Sequence, residues 1–80
     1  MKLPRDLDGA TLVSALRTLG YEVTRQTGSH IRLTTGLGGE HHITIPAHRS
    51  LRVGTLAAVL DDVAGHLGLT REVLLERLFG

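Results

Sequence analysis

The stretch GYEVTRQTGSHIRLTTGLGGEHHITIP, residues 20–46, decides the fold. Its apolar side chains recur at every second position: Tyr21 and Val23, then Ile31 and Leu33, then Ile43 and Ile45. Polar residues fill the alternate places, among them Glu22, Thr24, His30, Arg32, Thr34, His42 and Thr44. A period of two is the signature of a strand with one wet face. It predicts three short strands over about 21–25, 29–35 and 41–46, with the Thr27-Gly28 step and the Gly36-Leu37-Gly38-Gly39 tract as their turns.

Parity then sets the expected register. Val23 opposite Ile31 on the core face calls for a three-residue turn, Gln26 to Gly28, with Gly28 left-handed. The longer loop from Gly36 to Glu40 puts Leu33 opposite Ile43 and Ile31 opposite Ile45. His42 then lies opposite Thr34, and Pro46 opposite His30. In either hairpin His30 and Arg32 point away from the core, as an antiparallel sheet with one solvated face allows.

Outside this stretch the period changes to that of a helix. Asp8 is a good N-cap, Leu7 and Leu12 are spaced as a hydrophobic staple, and Gly20 is placed to end the first helix. Leu12, Val13, Leu16 and Leu19 form its apolar stripe. After Gly54-Thr55 a second helix carries Leu56, Val59, Leu60 and Val63 on one face and Asp61-Asp62 on the other, with Gly65 expected to close it. Thr70 caps a short third helix containing Val73, Leu74, Leu75 and Leu78. The order is α-β-β-β-α with an extra C-terminal helix. That is an α+β two-layer sandwich, with the helices on one face of a three-stranded antiparallel sheet.

At 80 residues the chain is expected to be a single domain, residues 1–80, with a net stability of about 4–12 kcal/mol. Its core must be aliphatic, because Tyr21 and Phe79 are the only aromatic residues. With no cysteine there is no disulfide, thiolate nucleophile or thiolate zinc site. Residues 1–20 lack the apolar run of a signal peptide, and no stretch is long enough to span a bilayer, so a soluble cytoplasmic protein is expected. The net charge of +1 is unevenly divided. Arg25, Arg32, Arg49 and Arg52 face only Glu40 between residues 25 and 52, whereas the segment from Asp61 onward is acidic. The basic centre also holds His30, His41, His42 and His48, a weak footprint for a polyanion.

His30, after Gly28-Ser29 and beside Arg32, has the features of a general base or acid near a phosphate: an imidazole, a permissive backbone and a guanidinium. On spacing alone, a solvated histidine on a wet strand face is the more economical reading. Adjacent His41 and His42 leave a strand on opposite faces and are poorly placed to share one ion. A zinc site would have to draw on His30, His48 and one of these, with Glu40 the nearest acidic ligand. His66, between Gly65 and Gly68, reads as a loop residue. Arg49 and Arg52 flank a helix N-terminus at Gly54-Thr55 that would suit an anion or ordinary capping. No nucleophile elbow, Walker loop or dinucleotide fingerprint is present.

Four elements occur in order: Leu19-Gly20-Tyr21, then Arg25-Gln26-Thr27-Gly28-Ser29-His30, then Ile45-Pro46-Ala47-His48, then Gly54-Thr55-Leu56. Together they resemble the HicA family of toxins, the small ribonuclease partners of HicB antitoxins, over about residues 7–64. The resemblance implies a fold like double-stranded-RNA-binding domains, which is the order already read from periodicity. It also implies cleavage of messenger RNA without metal or other cofactor, inhibition by a HicB-like antitoxin, and no membrane partner. The histidine of Gly-Ser-His, here His30, becomes the catalytic residue, and His48 the candidate second acid or base, although a recycled His30 or a water would also serve. Arg25, Gly28, Ser29, Arg32, Arg49, Arg52 and Thr55 become candidate RNA contacts. A non-catalytic RNA-binding module on the same fold is the alternative.

Overall fold

The computed structural model describes residues 2–80. Helix α1 (Gly9–Arg17) leads into strands β1 (Glu22–Thr27), β2 (His30–Thr35) and β3 (His41–Pro46), followed by helices α2 (Val53–Leu67) and α3 (Arg71–Phe79). The strands form one antiparallel sheet in the order β1-β2-β3. Helices α1 and α2 pack against β3, and α3 packs against both of them. This is the α+β sandwich with a C-terminal helix that the periodicity predicts.

The core lies between the sheet and the helices. Leu12 and Leu16 of α1, Ile31 and Leu33 of β2, Ile43 and Ile45 of β3, Leu56, Leu60 and Val63 of α2, and Leu74 and Leu75 of α3 form one buried cluster with Tyr21. Leu3, Leu7, Leu78 and Phe79 pack on its margin, so the apolar residues of both ends complete the core. No helix among the described residues is long and apolar enough to cross a membrane.

The caps follow the sequence closely. Asp8 accepts the Thr11 backbone N–H at 2.7 Å, and Thr70 accepts that of Val73 at 3.2 Å. Thr11, through its side chain and its backbone, holds the Asp8 carboxyl below the usual carboxylate range. After α1 the chain turns through Gly20, whose φ of 86° suits glycine.

The second hairpin has the expected register: Leu33 faces Ile43, Ile31 faces Ile45, Thr34 faces His42 and His30 faces Pro46. The first hairpin differs. Its turn is Gly28-Ser29 alone, Thr27 pairs with His30, and Val23 faces Leu33 rather than Ile31. A β-bulge between Val23 and Arg25 accounts for the change. With a two-residue turn and no bulge, Val23 would fall opposite Thr34 on the wet face; the extra residue returns it to the core side. Gly28 is left-handed as expected, with φ 54°.

Helix α2 also departs from expectation. Gly65 does not close it; the helix runs to Leu67 and ends at Gly68, φ 68°, where the Ala64 carbonyl accepts the N–H groups of Gly68 and Leu69. A glycine inside a helix costs about 1 kcal/mol, and the packing of Leu67 and Leu69 against the core offsets it. His66 is therefore a helical residue, not a loop residue. Its ring stacks on His41 with centroids 4.3 Å apart, and its Nε2 lies 2.9 Å from the Leu37 carbonyl. His41 in turn bonds the Tyr21 hydroxyl through Nδ1 at 2.8 Å and Asp62 through Nε2 at 3.1 Å. Asp61 makes a two-pronged pair with Arg71, at 2.8 and 2.6 Å, which joins α2 to α3.

Burial first, and then the Asp62 charge, push the Tyr21 phenol from its usual value of 10.0 up to about 12. The unfolded chain ionises Tyr21 near pH 10 and the folded chain does not, so this contribution is intact below that pH and is lost as the pH climbs towards 12. Thermal unfolding followed across this range should show a fall in Tm that Tyr21→Phe makes shallower. An identical slope in both proteins would remove the phenol from the account.

Candidate functional site

The helices cover one face of the sheet and leave the other open. Down the middle of the open face β2 presents His30 and Arg32, both exposed, and then half-buried Thr34. Strand β3 adds His42 and Thr44 on one side. On the other side β1 brings Arg25 opposite Arg32 and Thr27 opposite His30.

The two-residue turn creates the feature of this face that sequence reasoning missed. It sets Arg25 on the wet side directly across from Arg32, and the bulge then lets Val23, two residues earlier, face the core. Like charges opposite one another on a sheet are destabilising. Among the described residues neither arginine has an acidic partner, since the ion pairs engage Arg71, His41 and His42 instead. The available signal lay in the alternation itself: a two-residue turn is compatible with an inward Val23 only if one residue of β1 is skipped.

A chain of hydrogen bonds crosses the same face. Thr24 Oγ1 and Thr34 Oγ1 are 2.9 Å apart, and Thr34 Oγ1 lies 2.7 Å from His42 Nδ1. The other ring nitrogen of His42 faces Glu40 at 3.4 Å.

His30 opens β2 immediately after the Gly28-Ser29 turn. A Cβ on Gly28 would meet nothing within 4 Å, so its left-handed backbone, not crowding, is what favours glycine there. The turn is tied to the following loop by the Ala47 N–H, which donates to the Ser29 carbonyl at 2.6 Å. That loop is held in turn by the lead-in to α1. Gly9 N–H donates to the His48 carbonyl at 2.9 Å, and Leu51 N–H to the Leu7 carbonyl at 2.8 Å. Ser50 Oγ donates to the Asp6 carboxylate at 3.3 Å. Gly9 packs so closely that a Cβ there would sit 2.5 Å from the Pro46 carbonyl oxygen.

His48 and Arg49 line a shallow cleft of about 360 Å³ together with Asp8, Ala10, Gln26, Ile31 and Ala47. Gln26 and Ile31 are a cross-strand pair on the helix side of the sheet, and His30 does not line this cleft. His30 and His48 are thus neighbours through the backbone but open on different surfaces. Arg52 is the N-cap residue of α2 and gives no side-chain cap; Gly54 and the half-buried Thr55 lie in the first turn. No three histidine, aspartate or glutamate side chains among the described residues gather as metal ligands. His41 and His66 are committed to the contact between β3 and α2.

This constellation can be compared with known families. A family model described as HicA toxin of bacterial toxin-antitoxin matches residues 9–64. The chain belongs to the HicA toxin family. The matched span runs from the first residue of α1 through most of α2 and takes in the whole sheet, the Gly28-Ser29 turn and the His48 loop. The last turn of α2, the Gly68-Leu69-Thr70 connection, helix α3 and Gly80 lie beyond it on the C-terminal side. No curated protein and no solved structure matches this HicA-family chain.

Two substitutions test the local physics. Gly9→Ala should cost about 1–3 kcal/mol by forcing α1 away from Pro46, and should shift the backbone NMR signals of the loop around His48; a denaturation midpoint equal to wild type would show that the approach is not tight. Arg25→Gln should leave thermal stability unchanged or slightly raised, because it relieves the repulsion across from Arg32. A clear loss of stability would mean that Arg25 has a favourable partner.

Proposed function

We propose that this HicA-family toxin is an endoribonuclease in which His30 is the catalytic residue and the open sheet face binds the RNA. One observation carries the reading: two arginines without acidic partners face each other beside an exposed histidine on the uncovered side of the sheet. Such an arrangement is unfavourable in the free protein and is relieved by an anion. A phosphodiester supplies that anion.

In this mechanism the neutral His30 imidazole removes the proton from a ribose 2′-hydroxyl. The 2′-oxygen attacks the adjacent phosphorus, a new phosphorus–oxygen bond forms, and the bond to the 5′-oxygen breaks. The products are a 2′,3′-cyclic phosphate and a 5′-hydroxyl. General base catalysis contributes about 10²–10⁴-fold. Arg25 and Arg32 stabilise the charge that builds on the phosphoryl oxygens. The proton for the leaving 5′-oxygen comes from the His30 imidazolium or a water, because His48 opens on the other surface. A strand passing over the Gly28-Ser29 turn meets His30 on the open face and His48 at the cleft beyond it, where His48 contacts a neighbouring phosphate. Gly28 and Ser29 line this passage. Arg49, Arg52 and the first turn of α2 at Thr55 extend the phosphate contacts on the cleft side. Control of such a nuclease falls to a HicB-like antitoxin that covers the His30 face.

The deciding experiment is cleavage of a labelled single-stranded RNA by purified protein in excess chelator, with wild type beside His30→Ala. Wild type should leave a 2′,3′-cyclic end and the variant should not cut. Because His30 is exposed, the substitution should change stability by no more than about 0.5 kcal/mol. Equal cutting by both proteins would remove His30 from the mechanism. RNA bound but uncut by either would favour a binding module on the same fold.

A further inference from the structure

The Thr24–Thr34–His42–Glu40 chain has no part in that mechanism. Residue His42 lies opposite Thr34, four residues along β2 from His30, which sets it about 13 Å away. That separation exceeds a single phosphodiester step, so His42 cannot exchange protons at the phosphorus that His30 serves. It is nevertheless built into the face with some care. Thr34 Oγ1 fixes Nδ1 at 2.7 Å, and Thr34 is itself fixed by Thr24 at 2.9 Å, so all three strands cooperate to orient one ring. The opposite nitrogen, Nε2, meets only the exposed Glu40 carboxylate at 3.4 Å. Charge-assisted hydrogen bonds are usually shorter, about 2.7–2.9 Å. The inner edge of the ring is therefore locked and the outer edge is held loosely.

We propose that His42 is a backbone subsite for single-stranded RNA. In it, Nε2 donates to the phosphate of a nucleotide neighbouring the scissile one, and that phosphate displaces Glu40. The proposal rests on the reading of the open face as the RNA-binding surface and adds to it a direction and a length. The strand runs along β2 from His30, over the Arg25–Arg32 pair, to His42. These three stations are spaced by about 7 Å each, a repeat that suits a polyanion and not an isolated carboxylate. The face carries none of the exposed large apolar side chains, Leu37, Val53 and Val73, that could anchor a protein. It carries no phenylalanine, tyrosine or tryptophan either, since Tyr21 is buried and Phe79 packs in the helical layer. The contact assigned to His42 is to the RNA backbone, and it is indifferent to base identity. Glu40 is the counterpart in the free protein: its carboxylate occupies the Nε2 side of the ring and competes with the incoming phosphate.

Binding of uncleavable 2′-O-methyl oligonucleotides, read by fluorescence anisotropy at fixed salt, tests this apart from catalysis. Wild-type protein should bind a hexanucleotide more tightly than a dinucleotide. His42→Ala should weaken the hexanucleotide by about fivefold to tenfold, equally for oligo-U and oligo-A, and leave the dinucleotide unchanged. Glu40→Gln should tighten the hexanucleotide. Hexanucleotide affinity that survives His42→Ala but is lost in Arg32→Ala would overturn the subsite and leave the RNA-binding face standing. Failure of the wild type to bind any oligonucleotide would overturn both. Binding with the expected pattern but no cleavage in the chelator experiment would uphold the subsite and remove only the catalytic role of His30.

Discussion

The tight Gly28-Ser29 turn sets how β1 faces β2, and much of the open side of the sheet follows from it. The turn fixes Thr27 against His30 and so puts Arg25 outward against Arg32; strict alternation from there would also expose Val23. The chain escapes by a bulge between Val23 and Arg25, which keeps Val23 against the core and leaves the arginine pair in place. A two-residue turn thereby creates an electrostatic tension on the open face, and one extra residue in β1 reconciles that turn with the core.

The other half of the site depends on a backbone clamp. The lead-in from Asp6 to Gly9 lies along the loop from Ala47 to Leu51 and bonds it through Gly9, Leu51 and Ser50. Only glycine permits α1 to begin so close to Pro46. The Ala47–Ser29 bond then couples this loop to the turn that precedes His30. The His48 loop and the His30 hairpin are in this way positioned together, even though their side chains open on different surfaces.

The five histidines divide by environment. His41 and His66 stack between β3 and α2, and with Tyr21, Asp62 and the Leu37 carbonyl they fasten the long β2–β3 loop to the helical layer. They serve structure at one end of the sheet. His30, His42 and His48 are exposed and remain for chemistry or binding. Helix α3, beyond the span matched by the family model, adds Leu74 and Leu75 to the core and is tied to α2 through Arg71 and Asp61. The acidic Asp61-Asp62 pair, which would be out of place on an RNA-binding surface, is thereby committed to internal contacts with Arg71 and His41.

Local chemistry made much of this legible from the sequence. Alternation gave the three strands, caps at Asp8 and Thr70 gave two helix starts, and the symmetry of Leu33, Ile31, Ile43 and Ile45 gave the register of the second hairpin. The Gly-Ser-His turn and its companion motifs sufficed for the family. The tertiary structure decided the rest, because those features depend on competition between distant groups. The facing of Arg25 and Arg32 follows from a two-residue turn, and the bulge that accommodates this turn is a compromise between turn geometry and core burial, so both appear only when the strands are paired. Gly65 resembles a helix stop until Leu67 and Leu69 have a core to pack against, and His66 has no partner until Leu37 and His41 are brought to it. Side-chain spacing along the chain thus determines which face each residue prefers, while packing decides which preferences prevail.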